Sequence, residues 1–283
     1  MKTRPCARPI KVCPHALRLL VVTLILTALP AQARERLIMI GGGSRPSAAM
    51  ARFAAWAGQE KARILVIPWA TSEPQASFKS LAQDFAPFHP ATVELAPTAP
   101  LSPAAKDQFM AQLKSATGVF FTGGDQVKIM KVLEDQSLIR ALRERYHDGV
   151  VFGGTSAGTA IMSWRMITGE GDFTVIDGEK VETREGLGLL PKDIIVDQHF
   201  IKRQRENRLF GLILQNPGAL GVGIDEGTAL LVTDNRYAEV VGASQVMMVE
   251  AGARPAAMVL YLVKPGESID LLKRRARKAN PFN

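Results

Sequence analysis

Gly154-Thr155-Ser156-Ala157-Gly158 is the stretch of this sequence best suited to chemistry. It follows the apolar run Val150-Val151-Phe152 and leads into Thr159-Ala160, small residues that can start a helix. Gly-x-Ser-x-Gly is the spacing of a nucleophile elbow, in which a serine sits on a sharp strand-to-helix turn. The turn is strained and its backbones crowd, so small neighbours are required. The hydroxyl then stands clear of the sheet edge, and the N–H of the next residue, Ala157, can face a developing oxyanion. A Gly/Ser-rich turn without chemistry would have the same pentapeptide, so the weight of the motif comes from its partners.

A serine hydroxyl is a weak nucleophile and needs an adjacent base. Of the four histidines, His15 lies in the N-terminal segment treated below and His89 precedes Pro90 in a loop. His147 ends the charged run Arg143-Glu144-Arg145-Tyr146, where a histidine suits a helix C-terminus. His199 directly follows the apolar run Ile194-Ile195-Val196, which puts it at the carboxyl end of a strand, on the same sheet edge as the elbow. The base needs an orienting carboxylate. Asp225 and Glu226 end the apolar strand Val222-Gly223-Ile224, again at that edge, and spacing alone does not choose between them. The resulting order of serine, histidine and acid argues against an α/β-hydrolase, whose acid precedes its histidine.

The elements that must position these groups alternate. Apolar runs at Leu37 to Ile40, Arg63 to Pro68, Thr92 to Leu95, Gly118 to Thr122 and Val150 to Phe152 read as strands. Pro46 to Trp56, Glu73 to Phe85, Ala104 to Leu113 and Leu138 to Tyr146 have helical spacing. This alternation predicts an α/β fold, a three-layer sandwich with a mostly parallel central sheet covered on both faces. Ligands in such folds bind beyond the carboxyl ends of the strands. The glycine turns Gly41-Gly42-Gly43 and Gly123-Gly124 fall at that edge, where glycine lets a backbone approach a substrate closely. Neither has the spacing of a nucleotide loop, so no cofactor is expected. After the elbow, Phe173 to Glu185 reads as a hairpin around Asp177-Gly178 and Lys202 to Leu214 as a charged amphipathic helix. Ala219 to Asp225, Thr228 to Val232, Tyr237 to Val241 and Ser244 to Val249 read as strands, and residues from about Gly266 onward as a polar surface tail.

The first 33 residues stand apart. Lys2, Arg4, Arg8, Lys11 and Arg18 lead into a short apolar core, Leu19 to Leu29, and then the small-x-small site Ala31-Gln32-Ala33. That is the pattern of a secretory signal peptide, with Arg34 as the mature N-terminus and export to the periplasm or beyond. The apolar core is shorter than the roughly 20 residues of a membrane span. Cleavage removes five of the 35 basic residues and none of the 27 acids, so the net charge falls from +8 to +3. Without a basic run interleaved with aromatics, no nucleic-acid partner is expected. Both cysteines, Cys6 and Cys13, also leave, so the mature chain has no disulfide and no cysteine-based metal site. Residues 34–283 are expected to fold as one domain large enough to hold itself by core packing.

Five motifs in one order resemble cyanophycinase and the wider peptidase family S51, which also contains aspartyl dipeptidases. They are Phe121-Thr122-Gly123-Gly124-Asp125-Gln126, Gly153-Gly154-Thr155-Ser156-Ala157-Gly158, Asp197-Gln198-His199-Phe200, the spaced Arg203, Arg205, Arg208 and Leu209, and Gly223-Ile224-Asp225-Glu226-Gly227-Thr228-Ala229. The resemblance implies a frame like the class I glutamine amidotransferases (flavodoxin-like), with Ser156 where those enzymes carry cysteine. It implies Ser156 as nucleophile, His199 as general base and then acid, and Glu226 as the orienting carboxylate. It also places Gly124 beside the elbow, where its N–H would join that of Ala157 in an oxyanion hole, and it suggests a homodimer. Cyanophycinases hydrolyse cyanophycin, a polyaspartate backbone with arginine on each side-chain carboxylate, to β-aspartyl-arginine.

That substrate agrees with the residues near the histidine. Arg203, Arg205 and Arg208 follow it, and helical spacing would put Arg205 and Arg208 on one face. Arginine forks suit carboxylates. Gln126, Asp197 and Gln198 are candidates to hold amide groups or the substrate's guanidinium. One departure is Gly41-Gly42-Gly43-Ser44-Arg45, which lacks the acidic residue expected after the glycines in many cyanophycinases. The competing expectations are a dipeptidase for aspartyl or isoaspartyl peptides and a catalytically silent binding protein of the same fold. No metal requirement is expected.

Overall fold

Strand β1 (Arg36–Ile40) lies at the centre of a nine-stranded sheet and has neighbours of opposite kinds on its two sides. A computed structural model describes residues 34–277; the expected signal peptide lies outside the described residues. On one side of β1 the sheet continues through β5 (Val151–Thr155), β4 (Gly118–Phe121), β2 (Arg63–Ile67) and β3 (Thr92–Leu95), every pairing parallel. On the other it continues through β10 (Thr228–Thr233), β11 (Tyr237–Gly242), β14 (Ser268–Asp270) and β15 (Arg275–Arg277), every pairing antiparallel. The central sheet is therefore mixed, which corrects the expectation of a mostly parallel one. The reason is the connections: β10 and β11 are joined by a short turn in which Asp234 and Asn235 take φ of 55° and 49°. Such a turn can join only antiparallel strands, whereas parallel strands need a crossover.

The parallel half is the expected three-layer sandwich. Helices α1 (Ser47–Ala57) and α2 (Pro74–Phe85) bury Phe53 and Phe85 against Ile38, Ile64, Val66 and Phe120 on one face. Helix α3 (Pro103–Ser115), the short α4 (Gln126–Val132) and α5 (Gln136–His147) bury Phe109, Ile129 and Leu142 against Leu37, Leu65 and Phe152 on the other. Successive residues of β1, β2 and β4 belong to opposite clusters, as the period of two demands. Both faces are covered, so these strands read as continuous apolar runs. Three of the helix starts are capped. Ser102 accepts from the Ala105 N–H, Asp125 from the Val127 N–H and Asp135 from the Ser137 N–H.

The antiparallel half is built differently. A second sheet, in the order β13 (Met258–Val263), β12 (Val246–Ala251), β9 (Leu220–Ile224) and β8 (Ile194–Gln198), packs on it. Val222, Ile224, Val246 and Met248 share one buried cluster with Leu230, Val232 and Val240. The outer face of this second sheet is closed by α7 (Glu206–Gln215) through Leu209, Leu212 and Ile213. The short helix α6 (Ala157–Ala160) follows β5, and the hairpin of β6 (Arg165–Gly171) and β7 (Val181–Glu185) follows it.

Three expectations shift, and one helix was not expected. The hairpin's first strand precedes Phe173, because Asp177 and Gly178 belong to its connection, with Asp177 accepting from the Glu179 N–H at 2.9 Å. The helix expected from Lys202 begins at Glu206, because Gln204 has a φ of 53° and the chain is still turning. Helix α4 had no expectation of its own. The expected polar tail instead supplies β14 and β15, with Ile269 and Leu271 in the core and Asp270 clamped by Arg236 at 2.7–3.0 Å. Among the described residues no helix is long and apolar enough to cross a membrane.

Candidate active site

Ser156 stands at the junction of β5 and α6 with φ 52° and ψ −113°, a positive-φ conformation that a residue with a side chain rarely adopts. The surroundings hold it there. Its N–H donates to the Ile40 carbonyl of β1 at 3.0 Å. The buried Thr159 hydroxyl lies 2.7 Å from the Ile40 carbonyl and 2.9 Å from that of Gly154, tying helix to strand. The flanking glycines of the motif are there for space. A Cβ on Gly154 would lie 2.4 Å from the Gly158 backbone, and one on Gly158 would lie 2.4 Å from the Phe121 carbonyl oxygen.

His199 comes from the other sheet, directly after β8. The expectation of one common sheet edge is thus corrected, because the carboxyl ends of strands from two packed sheets meet at the serine. His199 also has a positive φ, 51°, and its N–H donates to the Gly41 carbonyl at 2.7 Å. Its Nε2 lies 2.8 Å from Ser156 Oγ and its Nδ1 lies 2.5 Å from Glu226 Oε1. Glu226 follows β9, and the adjacent Asp225 points elsewhere: its Oδ1 accepts the Lys202 N–H at 2.9 Å. The geometry brings Ser156, His199 and Glu226 together and leaves Asp225 to pin the turn after the histidine.

Charges in this array are unequal. Burial is the main cause that holds the His199 imidazole below its usual value of 6.5, and the cations Arg203 and Arg205 add to it against the raising effect of Glu226. The hydrogen bond to His199 holds the Glu226 carboxyl below its usual range. The imidazole is therefore neutral near pH 7 while its partner is ionised, which is the state a general base requires.

The first glycine turn, expected to let substrate approach, has another main task. A Cβ on Gly42, at φ 113°, would lie 2.2 Å from His199 Cε1, and one on Gly43 would lie 3.0 Å from Glu226 Oε2. The turn is the floor on which imidazole and carboxylate rest. Three consecutive glycines at a strand end were the signal that could have revealed it.

The serine opens onto two adjoining depressions that share Ser156 and Arg203. One, about 430 Å³, is lined by Gly42, Arg45, Gly123 and His199. The other, about 410 Å³, is lined by Gly124, Gln126, Gln198 and Arg205, with Glu170 and Glu182 opposite. Gly124 has a φ of 137°, and a Cβ there would strike the Ala70 carbonyl at 2.1 Å. Gln126 is anchored through Nε2 to the Ile167 carbonyl at 2.9 Å, and Gln198 Oε1 lies 3.5 Å from Ser156 Oγ. Arg205 donates to the Gln198 carbonyl at 2.9 Å, and burial is the first cause lowering its guanidinium to about 10. Arg203 is exposed, 3.7 Å from Glu226 Oε1.

Two expected substrate contacts are corrected. Arg208 and Asp197 are each 1% exposed and are bound to one another through two hydrogen bonds, Arg208 Nε to Oδ2 at 2.7 Å and Nη2 to Oδ1. Asp197 Oδ1 also accepts the Gln198 N–H at 2.8 Å, and the Arg208 guanidinium lies 4.9 Å from the Phe173 ring centroid. The pair supports the residue beside the nucleophile from beneath and is closed to solvent. The shared face expected for Arg205 and Arg208 is absent because α7 begins after Arg205. Among the described residues no group of three or more histidines, cysteines or acids could hold a metal ion.

A serine on a strained strand-to-helix turn, within reach of a carboxylate-bound neutral imidazole, is the arrangement of a serine hydrolase. Comparison with known proteins narrows the class. The profile of Peptidase family S51 matches residues 37–240, and the chain belongs to that family of serine peptidases. It is 33% identical over 224 residues to a cyanophycinase of Trichormus variabilis, covering 77% of this chain and 75% of that protein. It is 34% identical over 219 residues to one of Synechococcus elongatus, covering 76% and 68%. A Peptidase E of Haemophilus influenzae is 27% identical over 143 residues, covering 48% of this chain and 58% of that protein. In fold, a peptidase from an acI-B1 Actinobacterium superposes with a TM-score of 0.65 at 22% identity, covering 84% of this chain and 98% of that one.

Proposed function

We propose that this peptidase degrades cyanophycin, with Ser156 as nucleophile, His199 as base and then acid, and Glu226 as the carboxylate that orients the imidazole. The observation that carries the reading is the unbroken relay from Ser156 Oγ through His199 to Glu226, at 2.8 and 2.5 Å, opening onto a cavity lined by both acids and arginines. Cyanophycin joins arginine to aspartate through the arginine amino group, so each repeat keeps a free carboxylate and a free guanidinium. Arg203 and Arg205 suit the first, and Glu170 and Glu182 the second.

In the proposed sequence Ser156 Oγ attacks the scissile carbonyl carbon as its proton passes to His199 Nε2. The oxyanion faces the N–H groups of Gly124 and Ala157, neither of which has an acceptor among the described residues. His199 then gives the proton to the departing amine, and water repeats the steps to free the acyl product, β-aspartyl-arginine being the final small product. His199 lines the Arg45 depression and not the Glu170 depression, so the leaving group is assigned to the Arg45 side. The frame suits this as a relative of the class I glutamine amidotransferases with serine in place of cysteine. Residues 1–33 belong to the same reading as an export signal, since a polymer too large to import must be cut outside the cytoplasm.

The second reading, hydrolysis of short aspartyl or isoaspartyl peptides, draws on the likeness to Peptidase E. Incubating the purified protein with insoluble cyanophycin and separately with β-aspartyl dipeptides, followed by mass identification of products, decides between them. Release of β-aspartyl-arginine from the polymer is the expected result. Cleavage of dipeptides alone would establish the second reading instead.

A further inference from the structure

The depression that holds Ser156 does not end at its own rim. Val127 and Arg184 line both it and a second cavity of about 570 Å³. Lys131 and Glu134 line both that second cavity and a third of about 810 Å³. Three depressions thus join end to end around α4, starting at the nucleophile and finishing beside Trp69 and Lys106.

Each depression presents both signs of charge. The second is lined by Lys131 and Arg184 and by Glu134 and Glu185; the third by Lys106, Lys128 and Lys131 and by Glu134 and Asp135. Lys106 is already committed to Asp135 at 2.6 Å, and that bond holds the Asp135 carboxyl below its usual range. Lys128 and Lys131 are different. Both are exposed, and neither has an ion-pair partner among the described residues. At three residues apart on one helix they share a face, and both line the third depression. A site for a small substrate has no use for such an extension. A purely anionic polymer would be repelled by the interleaved acids.

We infer that the track around α4 is a second binding region for an extended chain whose repeats each carry a carboxylate and a guanidinium, with Lys128 and Lys131 taking carboxylates of repeats that lie beyond the scissile bond. This rests on the reading of the site as cyanophycin-degrading and deepens it: the enzyme grips the polymer at several repeats while one is cut. Weak contacts in series raise effective affinity without adding anything at the reacting bond.

The test uses the full-length mature protein and the double variant Lys128→Glu/Lys131→Glu. Carried in a Ser156→Ala background, the charge reversal is expected to weaken co-sedimentation with insoluble cyanophycin by about tenfold. The Lys128→Arg/Lys131→Arg control keeps it. In the active protein, kcat/KM on a soluble two-repeat oligomer, which has only the repeats flanking the scissile bond and none to reach the track, is expected to stay unchanged. Unaltered co-sedimentation would overturn the inference, and so would an equal fall on polymer and oligomer, which would mean general damage. A wild-type protein that hydrolyses neither substrate would defeat the proposed function, while the sedimentation result would still decide whether the track binds the polymer.

Discussion

Gly42 and His199 are in contact so close that no side chain fits between them: a Cβ on Gly42 would lie 2.2 Å from Cε1 and 2.5 Å from Nε2. The glycine also has a φ of 113°, so a substitution there is strained before it meets the ring. Gly42→Ala should push the imidazole off Ser156 Oγ. A displacement of about 1 Å at a reacting group can cost roughly 100-fold in rate. The expected outcome is a fall in kcat of that order with KM little changed, alongside a destabilisation of about 1 kcal/mol or more. Steady-state kinetics and a denaturant melt separate the two effects. A variant with full kcat would show that the ring can shift without loss.

Ser156 carries the strain on which its exposure depends. Ser156→Gly removes the hydroxyl and lets the same φ of 52° be adopted by the one residue that tolerates it. It should stabilise the protein by about 1 kcal/mol, seen as a rise in Tm of roughly 2–4 °C for a chain of this size. Ser156→Ala removes the hydroxyl without that relief, and its Tm should stay near the wild type. Both variants should lose several orders of magnitude of hydrolysis. Thermal melts of the pair check the strain, and turnover assays check the nucleophile.

The parallel half of the fold was legible because strands buried on both faces read as apolar runs, and the fully buried β4 at Gly118–Phe121 falls within the expected Gly118 to Thr122. The rest was hidden for particular reasons. Nothing in Ile194-Ile195-Val196 says which sheet the strand joins, so the meeting of two sheets at His199 could not be read. Arg205 and Arg208 follow helical spacing, but His199 and Gln204 both take positive φ without being glycine, and no local signal forecasts that. Arg208 and Asp197 were charged residues near a site and drew a substrate-contact assignment. Only tertiary packing reveals that they satisfy one another in the interior.

That interior pair gives a prediction of its own. Arg208→Met would leave Asp197 charged, 1% exposed and without its partner. Breaking a buried ion pair from one side costs about 3–5 kcal/mol, more than replacing both members with apolar residues. The single variant should therefore be strongly destabilised in urea, and Arg208→Met/Asp197→Leu should recover part of the loss. A substrate-binding role would give the opposite pattern: near-normal stability with a large increase in KM.

The acid limb of the pH profile distinguishes the two carboxylates that spacing alone could not separate. Hydrolysis needs His199 neutral, and its imidazole is held below 6.5, so kcat/KM should rise with pH through a midpoint under that value and level off above it. Glu226 raises that pKa, so Glu226→Gln should move the limb further down while cutting kcat by up to about 10,000-fold through loss of tautomer control. Asp225 instead accepts the Lys202 N–H at 2.9 Å, a bond that asparagine keeps through its carbonyl oxygen. Asp225→Asn should leave the midpoint in place and reduce kcat only slightly. Stability follows the same sign: the native imidazole resists protonation, so the folded state binds fewer protons than the unfolded chain just below pH 6.5 and loses stability as pH falls through that window. Rate profiles of both variants from pH 4.5 to 8 provide the check. A limb that moves with Asp225→Asn and stays fixed with Glu226→Gln would exchange the roles of the two acids.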